Sequence, residues 1–218
     1  MNLPDFNNNN PNDQWVRYCE LLWHNNDLNI WLDISRMKVN SSDIDQFKTK
    51  FNTAFKAIKN LEAGSLANPD ESRQVGHYWL RNSDIAPTDS ISKNIESEII
   101  AINNFGKQIS NGNIMAPNGN KYTDVLWIGI GGSALGPLLI REALQEFNKG
   151  LSIHFLDNVD PRGIKDILLE LKQNIKNTLV VTVSKSGGTP EPKIGMEQVR
   201  SFLESEGGIW NEQSVAIT

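Results

Sequence analysis

Apolar positions change their spacing part-way along the chain. Up to about residue 120 they recur at three and four: Ile44, Phe47, Phe51, Ala54, Phe55 and Ile58 share one face of a predicted helix. Ile91, Ile95, Ile99 and Ile102 repeat in the same way within a second helix predicted over 89–105. Ser41, Ser42 and Asp43 stand where the first helix should be capped. A polar connection, "NPDESRQVGHYWLRN", joins the two, and the opening "NNNNPND" has nothing to bury, so a mobile terminus is expected there.

Beyond residue 120 the pattern becomes strand, loop, helix, repeated. "VLWIGI" precedes a helix over 134–147, "SIHFLD" one over 161–175 and "TLVVTV" one over 190–204, and "SVAIT" follows as a further strand. Continuous aliphatic and β-branched runs suit strands buried on both faces, and Ile164, Ile167, Leu168 and Leu171 give the middle helix one inward face. The fold class expected is α/β, a three-layer α-β-α sandwich with a parallel sheet. A mainly helical region, 1–120, precedes it; the sheet region, 121–218, is expected to be incomplete at its C-terminal end. Right-handed crossovers then bring every strand's carboxyl end to one edge, where open α/β sheets bind ligands.

Composition narrows the classes further. A chain of 218 residues can bury a sizeable core, and its single cysteine, Cys19, cannot form an internal disulfide. With no basic, apolar leader and no apolar run of membrane-spanning length, a cytoplasmic protein is expected. The net charge of −5, with lysines spread along the chain, argues against a nucleic-acid surface.

Two loops at the expected ligand edge carry the candidate chemistry. "GIGGSALGP" follows the first strand and "SKSGGTPE" the third. Glycines let backbone amides approach an anion, the helix that follows presents unpaired N–H groups, and Ser184, Ser186, Thr189 and Lys185 add hydroxyls and a charge. Pro190 at a first helical position leaves Thr189 at the N-cap. Gly129, Gly131 and Ala134 also satisfy the dinucleotide fingerprint, with Asp157 ending the next strand, whereas no Walker-type loop occurs. The readings open at this point are a phosphate cradle, a dinucleotide site and a plain tight turn.

Taken together the motifs resemble the amino-terminal part of the glucose-6-phosphate isomerase family, of the sugar-isomerase fold group. Asn68, Glu71, Arg73, Val75, His77, Leu80 and Arg81 resemble its N-x-T-E-x-R-x-V-x-H-x-x-L-R signature, with Asp70 in place of threonine, and "LDISRM", residues 32–37, resembles its bacterial N-terminal region. The resemblance implies that Gly132 and Ser133 meet a sugar phosphate, that Ser184, Lys185, Ser186 and Thr189 grip its phosphate group, and that Glu191 helps organise the site. Where many relatives have S-K-T-F-T-T, this chain has Ser186-Gly187-Gly188-Thr189, a less bulky loop expected to be more mobile when empty.

The same resemblance implies an aldose–ketose isomerase of glycolysis and gluconeogenesis that interconverts glucose 6-phosphate and fructose 6-phosphate. It implies no metal or organic cofactor, and a homodimer when full length. The family's glutamate, histidine, lysine and arginine for proton transfer and charge stabilisation have no matching motif here. Catalytic residues are therefore expected beyond Thr218, and the chain reads as an amino-terminal portion of a longer enzyme. A non-catalytic sugar-phosphate-binding module is the alternative, with a NAD-dependent oxidoreductase more distant. Plainer roles compete at single residues: Ser133 as a helix cap, Lys185 as a solvated loop lysine, Glu191 as a partner of the helix dipole. His77 is read as structural, His24 as lying on a helix, His154 within a buried strand, and Asp157 and Asp160 as loop caps.

Overall fold

The computed structural model describes residues 3–147 and 150–218. The chain divides into two compact units, Met1–Ser97 and Glu98–Thr218.

The first unit opens with α1 (Pro11–Leu21), paired strands β1 (Leu22–Asn25) and β2 (Ile30–Asp33), and α2 (Ser41–Glu62). α1 corrects the expectation for the N-terminus: the Asn10 side chain accepts from the Asn12 N–H, and Pro11 presets the first helical φ, so the Asn-rich run closes as a helix cap. His24 is on β1, not a helix, stacked on its cross-strand partner Trp31 with ring centroids 3.7 Å apart. Asn40, rather than Ser41, Ser42 or Asp43, caps α2; Asp43 completes a reciprocal capping box with it.

Helix α2 carries the predicted apolar stripe, but none of its residues is buried within this chain. The polar connection holds a short hairpin, β3 (Leu66–Asn68) with β4 (Arg73–Gln74). Arg17 is buried, and its guanidinium donates to the carbonyls of Pro4, Ser35, Met37 and Val39, gathering both sides of this unit's loops. α3 (Asp89–Asn111) outlasts the predicted helix by six residues, and its end supplies the buried Ile109 to the second unit.

The second unit is a four-stranded parallel sheet in the order β6-β5-β7-β8, built from β5 (Asp124–Ile128), β6 (Ser152–Leu156), β7 (Thr178–Val183) and β8 (Ser214–Ile217). α4 (Leu135–Leu144) links β5 to β6, α5 (Pro161–Leu171) links β6 to β7, and α6 (Pro190–Ser205) with the short α7 (Trp210–Gln213) links β7 to β8. The predicted helices ending at Phe147 and Ile175 stop earlier, at Leu144 and Leu171, and are followed by 3₁₀ turns at Gln145–Phe147 and Ile175–Asn177. On one face Leu126, Ile128, Leu156 and Val180 pack with Ile164, Leu168 and Leu171 of α5 and Val199 and Leu203 of α6. On the other, Leu179 and Val181 pack with Ile109, Ala116 and Tyr122. Burial on both faces is fullest in the middle strands, as the continuous apolar runs require; β8 at the sheet edge is only partly covered.

Candidate functional site

Chain direction decides where the two loops meet. β6 lies on one side of β5 and β7 on the other, so with right-handed crossovers α4 and the pair α5–α6 occupy opposite faces. Ile128 pairs in register with Thr182, which brings the loop after β5 and the loop after β7 out of neighbouring strands at the same edge. One turns toward each face. A crevice opens at such a reversal of strand order.

The first loop holds Gly132 and Ser133 in a single 3₁₀ turn, Gly131–Ser133, before α4. Gly131 has φ +55, in the left-handed region that favours glycine, and Gly129 is a close approach: a Cβ there would lie 3.0 Å from the Ser133 carbonyl oxygen. Space around Gly131 and Gly132 is open. The Ser133 N–H donates to the Ile130 carbonyl (3.1 Å), so a ligand would meet its hydroxyl rather than its amide. The Ser133 carbonyl accepts from the Trp127 indole N–H at 2.8 Å.

The second loop concentrates hydroxyls. Ser184 Oγ donates to Thr189 Oγ1 (3.3 Å), and Ser186 Oγ lies 3.4 Å from the same oxygen. Thr189 occupies the N-cap position of α6 as predicted, yet its side chain makes no capping bond. Its hydroxyl is turned to the two serines instead. The loop is tied within itself: the Gly187 N–H donates to the Ser184 carbonyl (3.1 Å) and the Gly188 N–H to Ser186 Oγ (3.2 Å). Gly187 has φ +67. Lys185 is exposed on this loop. Glu191, in the first turn of α6, lines a narrow crevice with Gly129, Ile130, Asp157 and Asn158.

Thr218 is a neighbour that sequence reasoning passed over. Ser184 donates its N–H to the Ile217 carbonyl (2.9 Å), and a Cβ on Gly187 would lie 3.6 Å from Thr218 Oγ1. Only the parallel pairing of β8 with β7 makes them adjacent. Asp160 caps α5 as expected, accepting from the Gly163 N–H at 2.7 Å, while Asp157 is exposed beside the crevice. His154 lies mid-strand, its Nε2 2.9 Å from Asp124 Oδ1 at the start of β5, away from the ligand edge. His77 is exposed in the first unit, its ring against Tyr78. Among the described residues no three acidic, histidine or cysteine side chains group as a metal site, and no helix is long and apolar enough to cross a membrane.

Comparison with known proteins decides the family. Residues 33–217 match phosphoglucose isomerase. The chain belongs to the phosphoglucose isomerase family. It is 55% identical over 218 residues to a glucose-6-phosphate isomerase of Synechococcus sp. (strain CC9605), covering all of this chain and 41% of that protein. It is 56% identical to that of Parasynechococcus marenigrum (strain WH8102), again over the whole chain and 40% of the relative. The crystal structure of a glucose-6-phosphate isomerase from Chlamydia trachomatis superposes with a TM-score of 0.75 at 25% identity, covering 92% of this chain and 39% of that one. The chain thus spans about two-fifths of the length of these relatives, and its α/β architecture with a parallel sheet matches the Chlamydia trachomatis structure.

Proposed function

We propose that this chain is the phosphate-gripping portion of a glucose-6-phosphate isomerase, an aldose–ketose isomerase acting on glucose 6-phosphate and fructose 6-phosphate. Residues 121–218 form the first part of its phosphosugar-binding domain, and 1–120 the helical region before it. The observation that carries the reading is the cluster of Ser184, Ser186 and Thr189 hydroxyls at the N-terminus of α6, with Thr189 released from helix capping. Three hydroxyls, the positive end of a helix and a nearby lysine suit a dianionic phosphate.

Gly132 and Ser133 approach the same ligand from the neighbouring strand. A phosphate held here lies remote from the reacting carbons, and its binding energy fixes their position. Glu191, which lines the crevice from the first turn of α6, helps organise the site. Proton transfer between the two carbons through an enediolate, and opening of the sugar ring, fall to groups outside these residues. The protein acts in the cytoplasm, and the longer enzyme is a homodimer. A sugar-phosphate sensor built on the same loops is the less favoured alternative, since the relatives that match over the whole chain carry an isomerase name.

Calorimetry with fructose 6-phosphate tests the grip. Ser186→Ala is expected to weaken binding by about 1.5–3 kcal/mol, the range for a hydrogen bond to a charged group. Unchanged affinity would remove Ser186 from the site. A stability increase with NAD and none with fructose 6-phosphate would point to a dinucleotide site instead.

A further inference from the structure

Trp127 stands one residue before the end of β5, partly buried on the face that α4 covers. Its indole N–H reaches six residues forward to the Ser133 carbonyl, 2.8 Å away. Gly129 leaves the room this carbonyl occupies, since a Cβ there would lie 3.0 Å from it. Phe155 on β6 supports the indole, ring centroids 6.4 Å apart.

A peptide held at both ends has its plane fixed: the indole holds the Ser133 carbonyl, and the Ala134 N–H of the same peptide donates to the Gly131 carbonyl. Ser133 and Ala134 already spend their own N–H groups on Ile130 and Gly131, at 3.1 and 3.0 Å. The indole therefore completes the restraint on a turn whose two central residues, Gly131 and Gly132, have no Cβ to limit their backbone. Valine, isoleucine or phenylalanine would fill this position in a strand without supplying a donor.

Resting on the proposed role of Gly132 and Ser133 in holding the sugar phosphate, we infer that Trp127 is a positioning residue for that glycine turn. Its N–H keeps the Ser133 peptide in the orientation that presents the hydroxyl to the ligand. It touches no ligand itself; it acts through the turn it holds.

The test compares the unmutated chain with Trp127→Phe, Phe155→Leu and Ser186→Ala, by calorimetry with fructose 6-phosphate and amide hydrogen exchange. Trp127→Phe keeps an aromatic ring and loses the donor; it is expected to weaken fructose 6-phosphate about threefold to tenfold, as for one net hydrogen bond, and to speed exchange over 130–134. Phe155→Leu, which alters packing but not the bond, is expected to leave exchange in that turn unchanged. Ser186→Ala is expected to weaken binding without touching it.

Native affinity in Trp127→Phe beside weakened Ser186→Ala would overturn the positioning role and leave the proposed function standing. No binding of fructose 6-phosphate by the unmutated chain would overturn both. If Trp127→Phe fails to fold, the unmutated chain still answers: its Trp127 indole proton should exchange more slowly when fructose 6-phosphate is added, and an unchanged rate would sink the inference.

Discussion

Thr189 sits where a threonine ordinarily bonds the backbone of its own helix, and here it does not. Its hydroxyl faces Ser184 and Ser186, so capping and ligand binding become separable. Thr189→Ala is expected to change folding stability by less than about 0.5 kcal/mol, as for a substitution that breaks no cap, while weakening fructose 6-phosphate by about 1.5–3 kcal/mol. Thermal unfolding and calorimetry on one variant read both. Tyr122 offers a second residue-level test. Burial, with Glu212 nearby adding its charge, raises the phenol above its ordinary value, and its hydroxyl donates to the Glu212 carbonyl at 3.0 Å. A raised folded pKa favours the protonated form. The stability it contributes is fully present below the unfolded value of about 10 and is lost as pH rises through the folded one. Unfolding curves of the unmutated chain should therefore decline more steeply above about pH 10 than those of Tyr122→Phe; parallel curves would exclude the effect.

Among the elements, α2 shows how local signals and packing divide the work. Asn40 and Asp43 close its capping box, so Asn40→Ala is expected to cost about 1 kcal/mol, measured by denaturant unfolding. Its apolar stripe makes no comparable contribution within this chain, because Phe47, Phe51 and Phe55 remain exposed. The turn between β5 and α4 works the other way. Gly131→Ala forces a Cβ into the left-handed region, at roughly 1–2 kcal/mol, although the space around it is open. The cost is backbone strain rather than collision. Gly129→Ala should be worse than Gly131→Ala, since its Cβ meets the Ser133 backbone; comparing the two variants by unfolding separates strain from crowding.

At the scale of the whole molecule, the sheet edge carries the proposed phosphate grip, and the proton-transfer groups of the family have no matching motif among these residues. The 218-residue chain is expected to show no appreciable isomerase turnover in a coupled assay, because each missing acid–base group is worth roughly 10²–10⁴ in rate. Turnover at the level of the longer relatives would place the chemistry here, with His77 and Glu191 the first residues to replace. The apolar faces of α2 and α4 leave Phe55 60% and Leu139 67% exposed. Exposed apolar helix faces drive association. Sedimentation at rising concentration is expected to show self-association by the isolated chain.

The parallel sheet, the two ligand-edge loops and their order were legible in the sequence because each rests on local signals. Buried strands read as continuous apolar runs, and glycine and proline punctuate the loops between them. Seven residues on those loops were legible as a candidate site through the resemblance of their motifs. α1 and the β1–β2 hairpin were not legible, since an Asn-rich run looks disordered until Asn10 and Pro11 act together as a cap. Tertiary structure alone decided the rest. That Thr218 stands beside Gly187 depends on which strands pair and in what register, while Thr189 turning to the serines and Trp127 reaching Ser133 depend on how each loop folds back over its own strand and helix ends. Spacing along the chain determines which residues share a face; only the pairing of distant strands determines which side chains meet across an edge.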